Sequence, residues 1–123
     1  MNNALYVFLG GGAGSVARYL ISILVKAKFQ FIFPLATLAS NVISCFVLAL
    51  AAGIFSEKIS ESDSLKSLLI IGFCGGFSTF STFSFETVEL IRSGNTIYAT
   101  ANIIVSLIVC IGIIFFLTKS ASV

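Results

Sequence analysis

The segment Gly72-Phe73-Cys74-Gly75-Gly76-Phe77-Ser78-Thr79-Phe80-Ser81-Thr82-Phe83-Ser84-Phe85-Glu86 gathers the side chains of this sequence best suited to chemistry. Adjacent glycines followed by hydroxyl residues weaken a helix locally. At membrane depth such a break is tolerated only where it is buried in protein or lines a cavity, and its freed carbonyls can coordinate a cation. Beyond the glycines, Thr79, Thr82 and Glu86 recur at +3 and +7, with Phe80 and Phe83 in an adjacent stripe. One strip of helix therefore carries hydroxyls beside aromatic rings and ends in a carboxylate. The rings are either core packing or, edge-on, a holder for a small anion, because an aromatic ring is positive at its edge.

Polar residues also punctuate the other apolar segments. Arg18 follows Gly10-Gly11-Gly12-Ala13-Gly14. An arginine within a span costs about 2.5–3.5 kcal/mol on insertion scales. It either snorkels to the interface near Lys26 and Lys28 or draws an anion into a vestibule. Gly10 and Gly14 form a small-xxx-small pair that lets helices approach closely. The loose dinucleotide fingerprint Gly12-x-Gly14-x-x-Ala17 has no strand around it and no acid about 20 positions on, so packing is the reading. Thr37, Asn41 and Ser44 share one helix face. Asn41 must satisfy two donors and an acceptor in hydrocarbon, as interhelical glue or as a pore lining. Asn102, Ser106 and Cys110 share a face at four-residue spacing, a partner for the other polar faces.

The elements that carry these residues follow from the charges. Of 123 residues 58% are apolar and twelve are charged, seven Lys or Arg and five Asp or Glu. That is 10%, against roughly 25% in soluble domains, and the mean hydropathy is +1.11. A soluble globular domain is excluded. No charge occurs in Met1–Ala17, Phe29–Ser56, Ser67–Phe85 or Ser93–Thr118, and each gap approaches or exceeds the roughly 20 residues that cross a bilayer. The sequence predicts an all-α membrane protein, one four-helix transmembrane unit over residues 1–123. Its helices fall at about 4–25, 32–55, 67–91 and 96–118, the third broken near its middle. Met1-Asn2-Asn3-Ala4 lacks the basic region of a cleaved signal, so the first segment is read as a span. Ser56 to Ser67, the longest polar stretch, leaves no soluble domain, and Gly94-Asn95 forms the turn between helices three and four.

Several function classes drop out. A net charge of +2 is too small to argue for nucleic acid or a polybasic lipid site. Cys45, Cys74 and Cys110 are odd in number and form no C-x-x-C, against a thiol oxidoreductase or a disulfide framework. With no His, and only Glu86 and Glu89 in or near a span, no transition-metal site is expected. No catalytic constellation is visible, so the chain is not read as an enzyme. Cation transport would predict carboxylates at membrane depth, whereas here the depth holds hydroxyls, amides, ring edges and one arginine. An unsolvated anion costs on the order of tens of kcal/mol, which such donors partly offset, so the chemistry points to a small anion.

Orientation is the unusual feature. Lys58, Lys66 and Lys119 fall on one side and Lys26, Lys28 and Arg92 on the other, and cytoplasmic loops normally hold the excess. Either one lysine near the first helix dominates, or copies insert both ways and pair head to tail about an axis in the membrane plane. Four helices enclose little space, so a polar path is more easily built between two subunits, and a closed two-fold dimer is the commonest assembly.

The segments GGGAGSVARY (Gly10 to Tyr19), TLASN (Thr37 to Asn41) and GFCGGFSTFSTFSFE (Gly72 to Glu86), in that order, make the chain resemble the Fluc/CrcB fluoride channels along nearly its whole length. The resemblance implies an antiparallel, dual-topology homodimer in the bacterial plasma (inner) membrane. Two pathways through it would export fluoride passively, with a second copy, fluoride and lipid as partners. Phe80 and Phe83 would be the paired pore phenylalanines, Asn41 the pore asparagine, and Ser81, Thr82 and Glu86 the polar track beside them. Arg18 would be the family's helix-one arginine, and Asn102 and Ser106 would serve from helix four. A structural sodium ion at the dimer centre would sit on the backbone carbonyls of Gly75 and Ser78. Ser78 stands where many relatives have Thr, a change a carbonyl ligand tolerates. Two rival readings stand beside this one. A small multidrug resistance-type antiporter needs a glutamate in helix one, which has no acid, and a non-transporting adaptor would not need the polar strip.

Overall fold

Asn2 begins the first helix. Its side-chain oxygen accepts the Ala4 N–H at 3.1 Å, capping α1 (Asn3–Lys28). Lys26 and Lys28 lie in the last turn, where cations complement the helix dipole, so α1 runs on past Val25. Pro34 sets the next start. It has no N–H and biases Phe33 away from helical angles, so α2 (Leu35–Ala49) begins later than Ile32. The helix continues as a wider turn, Leu50–Ile54, in which the Phe55 N–H reaches back to the Leu50 carbonyl at 3.0 Å.

Two short helices, α3 (Ser56–Ser60) and α4 (Asp63–Lys66), make the polar connection, and Ser62 Oγ caps the second by accepting the Leu65 N–H at 3.2 Å. This cap moves the start of the third span back to Asp63. The chain proceeds through a wide-wound stretch, Ser67–Cys74, and one turn, α5 (Gly75–Phe77). Ser78 (φ −79°, ψ 156°) and Thr79 (φ −150°, ψ 116°) are extended. Helix then resumes as α6 (Phe80–Arg92), with Thr79 Oγ1 accepting the Thr82 N–H at 3.2 Å. Gly94, at φ 85°, makes the tight turn that lets the Asn95 N–H reach the Leu90 carbonyl at 2.8 Å, and α7 (Thr96–Ala121) follows.

The computed structural model describes residues 2–121, and among them no strand occurs. Four stretches, Asn3–Lys28, Leu35–Gly53, Asp63–Arg92 and Thr96–Lys119, are long and apolar enough to cross a membrane. α1 packs along the first half of the third span, and α7 crosses α2 and α6. A methyl added to Gly10 would strike the Leu68 carbonyl, one on Gly14 the Phe73 carbonyl, and one on Gly76 the Gly11 carbonyl. The two backbones are in contact. The interior is small and polar: Thr37, Ser40, Ser44, Thr87, Asn102 and Ser106 are buried beside Ala49, Cys74, Phe77 and Ala99. Large apolar side chains such as Phe8, Leu24, Ile97, Ile108 and Phe116 face outward. Lipid supplies no hydrophobic force between helices, so close packing and hydrogen bonds must hold them together, and this inverted distribution fits that solvent.

Candidate functional site

The extended pair Ser78-Thr79 frees backbone groups that the neighbouring helices take up. Asn41 on α2 grips Thr79 at two points, its Oδ1 accepting the Thr79 N–H at 2.8 Å and its Nδ2 donating to the Thr79 carbonyl at 3.4 Å. The Cys74 carbonyl accepts from Ser44 Oγ at 3.0 Å and Ser78 Oγ at 2.8 Å. Arg18 Nε, on α1, donates to the Gly76 carbonyl at 3.2 Å. The arginine is thus tied to the third span at the level of the extended pair rather than to the end of its own helix.

Thr37, Asn41 and Ser44 all hydrogen-bond to the third span, each at its own level. Thr37 Oγ1 donates to Glu86 Oε1 at 2.9 Å, and Glu86 Oε2 is buried with no hydrogen-bond partner. A cavity of about 250 Å³ opens here, lined by Arg18, Tyr19, Ser22 and Lys26 of α1, Thr37 and Ser40 of α2, and Thr79, Thr82 and Glu86 of the third span. It is a polar vestibule with two cations in its wall. Thr79 Oγ1 donates to Thr82 Oγ1 at 3.0 Å, which leaves the Thr82 hydroxyl proton free to donate. Toward the Phe29–Pro34 loop lies a wider mouth of about 400 Å³, which shares Lys26 and Glu86 with the vestibule and adds Glu89 and Asn95.

Past Thr79 the wall changes character. A groove of about 220 Å³ is lined by Asn41, Cys45, Ser78, Thr79, Phe80, Phe83, Ser106 and Cys110. The Phe80 and Phe83 rings stand 5.8 Å apart, tilted by 38°, and Phe80 is 77% exposed on this chain. Ser81 is exposed beside them, its Oγ 3.5 Å from Thr79 Oγ1.

The helix-four residues separate. Ser106 reaches the groove, but Asn102 is 1% exposed between α6 and α7. Its Nδ2 donates to Thr87 Oγ1 at 3.0 Å and its Oδ1 accepts from Ser106 at 3.3 Å. Asn102 therefore binds helix to helix and lines neither the vestibule nor the groove. Sequence reasoning passed over the α1 stripe Ser15, Tyr19, Ser22 and Lys26, which joins Arg18 in the vestibule wall. Its signal was present, since those spacings of three and four residues mark one helix face.

Gly75 and Ser78 bracket the point where helical bonding lapses. The Thr79 N–H goes to Asn41 and the Thr82 N–H to Thr79 Oγ1, so the carbonyls of Gly75 and Ser78 lose the donors an unbroken helix would supply. A methyl on Gly75 would meet nothing within 4 Å, so this edge is open. Backbone oxygens freed in this way suit a hard cation, and the two residues fit a sodium ion.

The family described as "CrcB-like protein, Camphor Resistance (CrcB)" matches residues 5–118. A protein of Serratia proteamaculans is 43% identical over 107 residues, 87% of this chain and 84% of its own. One from Escherichia coli is 44% identical over 104 residues, 85% of this chain and 81% of its own. One from Maridesulfovibrio salexigens is 39% identical over 103 residues, 84% of this chain and 82% of its own. Each bears the name "Fluoride-specific ion channel FluC".

Proposed function

The chain belongs to the CrcB family, and from that premise we propose that it is a fluoride channel, a multi-pass membrane protein that lets fluoride leave the cytoplasm down its electrochemical gradient. It is a conduit and not an enzyme. The observation that carries the reading is the set of shared walls. Lys26 and Glu86 belong to both mouth and vestibule, and Thr79 belongs to both vestibule and aromatic groove. The three spaces follow one another along α6.

An anion leaving water must find fixed donors to offset its dehydration. Lys26 and Arg18 raise the local anion concentration at the entrance, as like-signed charges in a cleft do. The Thr82 and Ser40 hydroxyls line the vestibule, and the second amide proton of Asn41 stands at the groove. Beyond it, the positive edges of Phe80 and Phe83 take over. Fluoride is the smallest halide, so it gains most from short contacts with such donors.

The assembly we propose is an antiparallel homodimer of dual topology in the bacterial inner membrane. Its support is the exposure of Phe80 and the three-to-three balance of cations flanking the spans. A second, inverted copy would cover the groove and complete its wall, giving two pathways per dimer. The break in the third span is read as functional, because it delivers the Thr79 backbone to Asn41 and frees two carbonyls. Gly75 and Ser78 would hold a structural sodium ion at the dimer centre, where it would neutralise converging carbonyl dipoles.

The test is ion efflux from liposomes loaded with fluoride or chloride. Purified protein is expected to release fluoride and retain chloride. Equal chloride release, or no fluoride release from a well-folded dimer, overturns the reading.

A further inference from the structure

Cys45 on α2 and Cys110 on α7 line the same wall of the aromatic groove, beside Ser106. Both are free and half-buried. The third cysteine, Cys74, is packed away at 4% exposure. Among the described residues no three His, Cys, Asp or Glu side chains converge, so the pair offers two sulfur donors without a third strong ligand. That donor set excludes a tetrahedral zinc site, which takes four ligands, and suits neither calcium nor magnesium, which take oxygens. Soft thiolates select soft cations, and two sulfurs without a third strong ligand match the ions that take only two.

Although the cysteine spacing along the chain gives no expectation of a transition-metal site, the fold brings two thiols to one groove, and we propose that Cys45 and Cys110 form a binding site for a soft, two-coordinate metal cation of the silver(I), copper(I) or mercury(II) class, and that the bound ion plugs the groove beside Phe80 and Phe83. Binding breaks two S–H bonds, forms two metal–sulfur bonds and releases two protons to solvent, with no change of oxidation state. The site itself stands on the placement of the two thiols. The plug rests on the fluoride-channel reading.

Mercury(II) chloride is the probe, and binding is read separately from flux. Intact-mass spectrometry of the purified full chain is expected to show one bridged mercury(II), an adduct lighter by two protons than protein plus metal. Cys45→Ala and Cys110→Ala should each weaken uptake by about 10–100-fold or more, since even an outer partner of a metal ligand carries that much affinity. Cys74→Ala should bind as the parent protein does. A bridged adduct in Cys45→Ala or Cys110→Ala, or its loss in Cys74→Ala, overturns the site. In liposomes, each variant is compared with its own metal-free fluoride efflux. Mercury(II) should stop efflux in the parent and Cys74→Ala proteins, with recovery on adding dithiothreitol, and leave the other two flowing. Continued efflux with the bridged ion in place overturns the plug. Absence of efflux before any metal is added overturns the fluoride reading and not the site.

Discussion

Asn41 spends one donor and its acceptor on the Thr79 backbone while lining the groove, so in the proposed channel one amide would serve both as glue and as pore lining. Substitutions separate them. Asn41→Ala should leave the Thr79 N–H unsatisfied at roughly 1–3 kcal/mol, seen as a lower melting temperature. Asn41→Asp retains an acceptor for that N–H but replaces the donor with a negative charge. It should melt lower than the parent, because a carboxylate at this depth is costly and now faces the Thr79 carbonyl, and it should lose fluoride efflux; if it conducts, the second N–H has no part in permeation. The aromatic pair gives a cleaner test. Phe80→Ile removes a ring that is 77% exposed on the single chain, so the fold should lose little. The expected outcome is an intact dimer by size-exclusion chromatography with fluoride efflux abolished. Retained efflux would make the rings packing.

The third span, among the transmembrane elements, depends on two devices: the extended pair at Ser78-Thr79 and the glycine contact with α1. The contact sorts the glycines of α1 sharply. A Cβ on Gly14 would be driven into the Phe73 carbonyl, whereas one on Gly12 would meet nothing within 4 Å. Gly14→Ala should therefore force the backbones apart, at roughly 1–3 kcal/mol or more as overpacking does. Gly12→Ala should be neutral or slightly stabilising, because alanine favours helix by up to about 1 kcal/mol over glycine. Thermal unfolding of the two variants in detergent checks this, and equal melting temperatures would contradict the contact. The same separation of α1 would pull Arg18 from the Gly76 carbonyl, so Gly14→Ala should also slow efflux.

For the whole molecule, the three-to-three division of flanking cations is the feature with the largest consequence. If copies must insert both ways, adding lysines at Asn2 and Asn3 should bias every copy toward one orientation and leave no antiparallel partners. Expressed alone, that variant should lose fluoride resistance. Co-expressed with a copy biased the other way by added charge at Lys26 and Lys28's loop, it should recover. Full activity of the singly biased protein would contradict dual topology.

Four apolar spans were legible in the sequence because hydropathy is a sum over residues, each transferred from water largely independently of the others. So were the polar faces, since helical spacing alone puts Thr37, Asn41 and Ser44 together. The span ends were less legible, because caps and neighbours move them: Lys28 extended α1, Pro34 delayed α2 and Ser62 brought the third span forward. What tertiary structure decided was which face meets which. Rotation and register about the helix axes put Asn102 on Thr87 while Ser106 beside it reached the groove. They also set Arg18 on Gly76 and brought Cys45 and Cys110 to one groove. Contacts of this kind depend on the packing of one helix against another, and no count along a single chain contains that geometry.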